Sequence, residues 1–231
     1  MAIELSPAAT DLLFEQLQLG TPPALFEIPS VGSTLEERAR LRDDLIVPDG
    51  VATALTTLVR FEHAIEGVVT EPLVIFRAAT NGRTAVLAVK RDQKIRITPC
   101  RPDGLVSAVS RLIGNRRPGP GHSVSYPDVD PAPETGILRQ VRPPAGNYGT
   151  QRRFAQHILA KPRTRSGWFT VLTRDRTGHE VSAPPLIWFD TTEGRYSAHR
   201  RPGPDGQPWA TCTPADTSRI GQQIRALLPT R

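Results

Sequence analysis

One sequence pattern occurs twice in this chain, and it constrains the fold more than any other feature. Ile97-Thr98-Pro99 is followed by Asp103 and a helix-like segment, and Cys212-Thr213-Pro214 is followed by Asp216 and a second such segment. Each copy has the order strand, Thr-Pro, acidic N-cap and amphipathic helix. A unit repeated in this way predicts two structurally related halves.

The remaining elements extend this repeat to the whole chain. Each half contains helical segments, a meander of strands and a closing helix, at about 1–115 and 122–231, with a basic Gly/Pro linker at about 116–121. Two such halves predict a single α+β domain with pseudo-twofold symmetry. In this fold the sheets join, and helices cover one face or both ends.

Helices are predicted before the first strands. Ser6-Pro7 starts the first helix with an N-cap hydroxyl and a proline in the first turn, and Gly20 ends it. Two more helices are predicted, from a Ser33/Glu36 capping box to about Asp44, and from Pro48-Asp49 through Ile65 to just before Gly67.

A meander follows, with strands at 68–79, 83–91 and 94–98. Asn81-Gly82 separates the first two strands, and Asp92-Gln93 separates the next two. Asn-Gly is a strong signal for a tight hairpin, so an antiparallel arrangement is predicted. Asp103 then caps a helix that ends at Gly114.

The second half has the same order. It begins with a short strand at 122–126, a Pro-rich loop at 127–146, and a helix at 151–160 that turns Phe154, Ile158 and Leu159 inward. Strands are predicted at 168–174, 186–189, 196–200 and 209–213, and a last helix at 216–228.

The formal charge of +6 would suit a nucleic-acid partner, because clustered cations gain affinity by releasing phosphate counterions. Here the cations are dispersed, and only three of the 29 basic residues are lysines, so solvated surface charge is the favoured interpretation. A basic nucleic-acid-binding regulator stays as the alternative function. It is supported by the pairs Arg116-Arg117, Arg152-Arg153 and Arg200-Arg201.

No pattern of catalytic or metal-binding residues is present in the sequence. The five histidines are scattered, Cys100 and Cys212 lie far apart, and no nucleophile elbow or phosphate-binding glycine loop occurs. No signal peptide or membrane-spanning run is found either. We therefore expect a cytoplasmic, non-enzymatic protein without cofactor, metal or membrane insertion.

An ordered set of short segments resembles the EspG family. These segments cover roughly residues 3–229, and their clearest part lies near the C-terminus: Trp188-Phe189-Asp190-Thr191, Gly194-Arg195-Tyr196, Arg201 to Gly206, and Trp209 to Asp216. Ala160-Lys161-Pro162-Arg163 and the segment from Pro118 to Ser125 are also similar to that family. The resemblance implies a central antiparallel sheet with two helical bundles and quasi-twofold symmetry.

The resemblance also implies a function. Members of this family are cytosolic chaperones of type VII (ESX) secretion in actinobacteria, which bind the helical tip of a PPE protein within a PE/PPE heterodimer and keep it soluble. The family's client surface combines a loop between two early strands with the C-terminal helical bundle. In this chain those regions are Thr80, Asn81, Gly82 and Arg83, together with Gln151, Arg152 and Gln156 on the 151–160 helix. Client identity and oligomeric state stay open.

Overall fold

The computed structural model describes residues 2–30, 34–43, 45, 47, 49–128, 148–175, 177–203 and 206–229. In this part of the chain, eleven strands form one antiparallel sheet that is flanked by helices. The predicted α+β class is therefore confirmed. Most of the predicted Pro-rich loop at 127–146 and Ser33 of the predicted capping box lie outside the described residues.

The first half begins with a short edge strand, continues with helices, and ends with four strands and a closing helix. Its elements are β1 (Ile3–Leu5), α1 (Pro7–Gln16), α2 (Leu35–Asp43), α3 (Val51–Val59), β2 (His63–Val69), β3 (Val74–Thr80), β4 (Ala85–Arg91), β5 (Lys94–Cys100) and α4 (Leu105–Ile113). The second half repeats this order. Its elements are β6 (Val124–Pro127), α5 (Tyr148–Leu159), β7 (Arg165–Arg174), β8 (Glu180–Ser182), β9 (Leu186–Asp190), β10 (Arg195–Pro202), β11 (Pro208–Pro214) and α6 (Thr217–Arg225).

The strand order shows the symmetry directly. It runs β1-β5-β4-β3-β2-β7-β9-β10-β11-β6, and β8 pairs with β7 beside this path. In each half the short first strand lies at the outer edge, next to the last strand of the meander. The first meander strands, β2 and β7, pair antiparallel at the centre. The two halves are therefore related by a pseudo-twofold axis between β2 and β7, as the repeated sequence pattern predicted.

Strand β2 is the main departure from the predicted elements. The sequence predicted that the third helix would continue through Ile65, but α3 ends at Val59 and β2 starts at His63. The predicted single strand over 68–79 is divided, because β2 ends at Val69 and β3 begins at Val74. Pro72 lies in this gap, and proline lacks the N–H that a central strand needs. Strand β8 was not predicted.

Two of the predicted helix N-caps, Ser6 and Asp216, are present in the structure. Ser6 Oγ accepts a hydrogen bond from Ala9 N at 3.1 Å, and Asp216 Oδ1 accepts one from Arg219 N at 2.7 Å. The capping box of α2 is made by Thr34 and Glu37, each of which accepts from the other's backbone N–H at 3.2 Å. It is therefore shifted by one residue from the predicted pair.

Asp103 does not cap α4, contrary to the prediction. Its carboxylate instead forms an exposed ion pair with Arg101, at 2.8 Å from Nη2 to Oδ2. A 3-10 turn at Pro102–Gly104 precedes the helix. Because this turn supplies the first backbone hydrogen bonds, α4 begins two residues after Asp103.

Helices cover the two faces of the sheet differently. On one face α4 and α6 pack against each other and bury Val109, Ile113, Ile220 and Ile224 against the central strands. On the opposite face α1 and α3 cover the first half, while α5 covers the outer strands of the second half. The middle of this second face lies between the two helical layers.

A buried ion pair of the second half is hydrogen-bonded to the C-terminal end of α4 in the first half. The guanidinium of Arg195 contacts the Asp190 carboxylate twice, at 2.7 Å from Nε to Oδ1 and 3.0 Å from Nη2 to Oδ2. The same group donates to the carbonyl oxygens of Gly114 and Ile113 at 2.8 Å each. Because the last carbonyls of a helix lack intrahelical donors, Arg195 caps the C-terminus of α4 from the other half.

The segment after α4 runs along β10. Gly119 N donates to Arg195 O, and Arg195 N donates to Arg117 O, both at 2.9 Å. A Cβ atom at Gly119 would lie 2.1 Å from Cζ of Tyr196. Glycine is therefore required there so that the chain can pass over the Tyr196 ring.

Candidate partner-binding surface

A row of apolar side chains crosses the middle of the sheet. Val68 on β2 lies opposite Trp168 on β7, Trp168 lies opposite Ile187 on β9, and Ile187 lies opposite Ala198 on β10. Because directly opposed residues in a sheet point to the same face, these four form one continuous stripe, named here the central apolar row. Cys212 and Val124 continue it toward α5, and Ile75 continues it toward α3.

The central apolar row is open where the helices do not reach. Ile75 packs against the cluster beneath α1 and α3, and Val124 and Cys212 are buried beside α5. Between them Ile187 is 43% exposed, and Val68, Trp168 and Ala198 are half-buried. The neighbours of Ile187 on β9 point to the opposite face, where Leu186 and Trp188 are fully buried. The row is therefore an apolar floor between two helical walls.

Polar groups border the row on both sides, and they are already hydrogen-bonded within the protein. On one side Arg77 donates from Nε to Glu66 Oε2 at 2.9 Å, and its guanidinium lies over the Phe61 ring. On the other side Ser166 N donates to Thr70 Oγ1 at 2.9 Å, and that hydroxyl donates to Ser166 O at 3.0 Å. A partner therefore meets a fixed polar border around an apolar floor.

A groove of about 420 Å³ extends the row toward α5. Ile187, Ala198, Ala210 and Cys212 form its floor, and Pro184, Pro185 and Leu159 form its sides. An ion pair between Arg200 Nε and Asp128 Oδ2, at 2.5 Å, closes one end. The groove is thus lined mainly by carbon atoms and has a single charged pair at its edge.

Apart from the Arg200–Asp128 pair, the titratable side chains that line the groove, Tyr126, His199 and Cys212, are neutral near pH 7. Burial raises the pKa of Cys212 to about 11, so its thiol keeps its proton. Burial, and then the nearby Asp128 carboxylate, raise the pKa of Tyr126. Burial, and then Arg201, lower the pKa of His199, which favours the neutral imidazole. An apolar side chain entering the groove therefore displaces no charge from its floor.

The first group of predicted partner-binding residues forms the β3–β4 turn. Asn81 Oδ1 accepts from Arg83 N at 3.1 Å and from Thr84 N at 2.9 Å, so this side chain holds the turn. Thr80 is only 6% exposed and donates to Thr84 O at 2.8 Å. Thr80 is therefore part of the core, whereas Asn81 and Arg83 are exposed and Gly82 is half-buried.

The second predicted group lies on α5, which packs against β6. Ala155 and Ile158 are fully buried, while the predicted inward residues Phe154 and Leu159 are half-buried and pack against the same cluster. Among the predicted partner-binding residues, Gln156 is exposed, and Gln151 and Arg152 are half-buried.

The structure does not bring the two predicted groups together. Strands β3 and β6 are six strand spacings apart in the sheet, which is about 29 Å at the usual separation. Thr80 also lies opposite His63, five residues before Val68 on β2, so the turn is about 17 Å along the strand from the row. The central apolar row occupies the space between these groups.

The sequence contains only an indirect signal for the row. Ile187 belongs to the run Leu186-Ile187-Trp188-Phe189, which is typical of a strand buried on both faces. Its exposure depends on where α3 and α5 end on the sheet, which is a tertiary property. A register prediction for β2, β7 and β9 would have aligned Val68, Trp168 and Ile187.

Among the described residues, no group of three or more His, Cys, Asp or Glu side chains could hold a metal ion. In the same ranges, no helix is both long enough and apolar enough to cross a bilayer.

Comparisons with known proteins give the following matches. A model of the EspG family matches residues 6–226. A search of curated protein sequences finds no match. Among solved structures, the chain is similar to the Mycobacterium tuberculosis type VII secretion system chaperone EspG5 in complex with the PE25-PPE41 dimer. That match has 14% sequence identity and a TM-score of 0.69, and it covers 99% of this chain and 97% of the matched one.

Proposed function

Because this chain belongs to the EspG family, we propose that it is a chaperone of a type VII secretion system that binds a PE/PPE-type heterodimer. The observation that carries the proposal is the central apolar row, which is open in the middle of a sheet face between two helical walls. The solved chaperone EspG5, which shares the fold, is in complex with a PE25-PPE41 dimer. We assign the apolar tip of a client helix to this row.

The physical basis is the burial of apolar surface by a helix end in a groove. Fully burying an isoleucine side chain stabilises a complex by about 1.5–3 kcal/mol, so covering the exposed part of Ile187 contributes roughly 1 kcal/mol. Trp168 and Val68 add to the same surface. Covering the exposed apolar tip of the client also removes a surface that would drive its aggregation.

The residues predicted from the family that are exposed or half-buried are proposed as outer contacts. Asn81, Gly82 and Arg83 would touch the client at one end, and Gln151, Arg152 and Gln156 of α5 would touch it at the other. Their separation of about 29 Å across the sheet requires an elongated client, and a single helix of about 20 residues spans this distance. Thr80 supports the turn from below, because it is buried.

Three further properties belong to the same proposal. The chaperone acts in the cytoplasm, where its free thiols Cys100 and Cys212 stay reduced. It catalyses no reaction, because its task is to bind and release a client. The halves at about 1–115 and 122–231 act as one binding unit, since the row takes residues from both of them.

The test is co-purification with PE/PPE heterodimers encoded in the same genome, measured by size-exclusion chromatography. We expect a stable stoichiometric complex. Ile187→Asp should weaken it by at least about tenfold, because binding would then bury an unpaired carboxylate. Val181→Asp is the matched control: Val181 is a half-exposed strand residue outside the row, and this variant should bind normally.

The outcomes separate the parts of the proposal. Binding that is lost in Ile187→Asp and kept in Val181→Asp supports the placement on the row. Equal binding by both variants would show that the row is not the client site. No complex with any PE/PPE pair of the genome would refute the proposed function itself.

A further inference from the structure

A second groove lies on the opposite face of the sheet, between α4 and α6. It has a volume of about 520 Å³ and continues past Asn115 into a neighbouring depression of about 410 Å³. Both parts are lined by polar and small residues. We name this combined surface the arginine groove, after Arg111, Arg116, Arg117 and Arg225, which line it.

Small residues produce the groove. Gly221 of α6 faces Ser110 of α4 so closely that a Cβ atom there would lie 3.1 Å from Ser110 Oγ. Large side chains therefore cannot fill the space between the two helices. The apolar faces of both helices point into the sheet, so the outer side of their contact stays open and polar.

The charge of the groove is unbalanced. Four guanidiniums line it, and the only carboxylate in its lining is that of Asp216, which already accepts a hydrogen bond from Arg219 N. Arg111, Arg117 and Arg225 are exposed, and none of them forms an ion pair within the described residues.

We infer that the arginine groove docks an acidic segment of a partner protein. Guanidinium groups bind carboxylates through paired, parallel hydrogen bonds, and the hydroxyls of Ser107 and Ser218 add neutral donors. The lining contains no aromatic side chain, whereas single-stranded nucleic-acid sites combine cations with aromatic stacking platforms. The observations therefore favour a carboxylate-bearing chain over a nucleic acid.

The position of the groove gives this docking a role. It lies on the face of α4 and α6, whereas the central apolar row lies on the other face. A client on the row leaves the groove uncovered, so the acidic partner can recognise the chaperone with its client bound. The inference about the groove does not depend on the identity of the client.

The experiment measures the binding of a fluorescent oligoglutamate peptide to the full chain by anisotropy, with oligoglutamine as the neutral peptide and a DNA duplex as the competing polyanion. Arg111→Glu/Arg225→Glu is the test variant. Arg40→Glu/Arg201→Glu is the control: both its arginines are exposed and lie outside the groove, and it has the same net charge. Circular dichroism verifies that both variants fold.

We expect oligoglutamate to bind, oligoglutamine not to bind, and the affinity for oligoglutamate to fall with salt. The test variant should lose at least about tenfold in affinity, and the control should stay within about threefold of the wild type. Equal losses of affinity in both variants would show that binding depends only on the net charge of the protein, and this would overturn the inference. Tighter binding of the duplex, lost in the same test variant, would assign the groove to phosphate instead. Absence of oligoglutamate binding would also refute it.

Discussion

The buried ion pair between Arg195 and Asp190 allows a quantitative prediction for Arg195→Met. The side chains are 1% and 7% exposed, so the variant leaves a carboxylate buried without its cation. Breaking such a pair typically costs about 3–5 kcal/mol. The helix carbonyls keep other donors, since Arg165 Nη1 donates to Ile113 O at 2.7 Å and Thr217 Oγ1 donates to Gly114 O at 2.7 Å. The loss should therefore come from Asp190 alone, at about 3–4 kcal/mol.

Urea denaturation measures this loss as a change in the free energy of unfolding, and the melting temperature should fall by roughly 6–16 °C for a chain of this size. Arg101→Met is the matched control, because Arg101 and Asp103 form an Arg–Asp pair that is 84% and 69% exposed. It should cost at most about 1 kcal/mol. The double variant Arg195→Met/Asp190→Leu should recover at least about half of the loss, since no unpaired charge is left. A loss below about 1 kcal/mol in Arg195→Met, or no recovery in the double variant, would refute the reasoning.

Two other predictions concern pH and glycine. The pKa of Cys212 is raised from 9.0 to about 11 in the folded protein, so between these values the folded state binds the extra proton and stability falls as pH rises. The fall should reach about 3 kcal/mol and be absent in Cys212→Ala; parallel pH curves of unfolding for the two proteins would contradict it. Gly119→Ala should destabilise the fold by about 1–3 kcal/mol, because its Cβ atom would clash with Tyr196. Gly149→Ala has open space around it on α5 and should stabilise the fold by up to about 1 kcal/mol. Thermal unfolding that ranks the two variants in the other order would contradict the packing argument.

The sequence correctly predicted the caps and turns whose hydrogen bonds join residues only a few positions apart. Ser6 and Asp216 cap helices because a side chain needs only its own next turn as partner. Asn81-Gly82 forms the predicted turn for the same reason. The repeated Thr-Pro pattern predicted the twofold arrangement because each half builds its own meander.

The predictions from the sequence are wrong where contacts with distant parts of the chain determine the local structure. Residues 62–65 have helical spacing, but β2 pairs with both β3 and β7, and this pairing outweighs the local preference. Asp103 has the right type and spacing for a cap, yet Arg101 is close enough to bind its carboxylate. In both cases the sequence window contained a correct local preference that a competing partner overruled.

The central apolar row could not be predicted from the sequence, because it also depends on contacts between distant parts of the chain. It requires the register of β2 against β7, and Val68 and Trp168 are 100 positions apart in the chain. The family resemblance directed attention to the β3–β4 turn and α5 instead, and Thr80 in that turn is buried. Which of the remaining predicted residues touch the client stays a prediction.

The central pairing of β2 with β7 also has a consequence for biosynthesis. Every strand neighbour of β3, β4 and β5 is made within the first half, but the second neighbour of β2 lies about 100 residues downstream. At typical translation rates of about 5–20 residues per second, β2 therefore waits roughly 5–20 s with one edge unpaired. An unpaired apolar strand edge is a template for aggregation. The chain itself thus passes through an interval in which it is prone to aggregate while the ribosome completes β7.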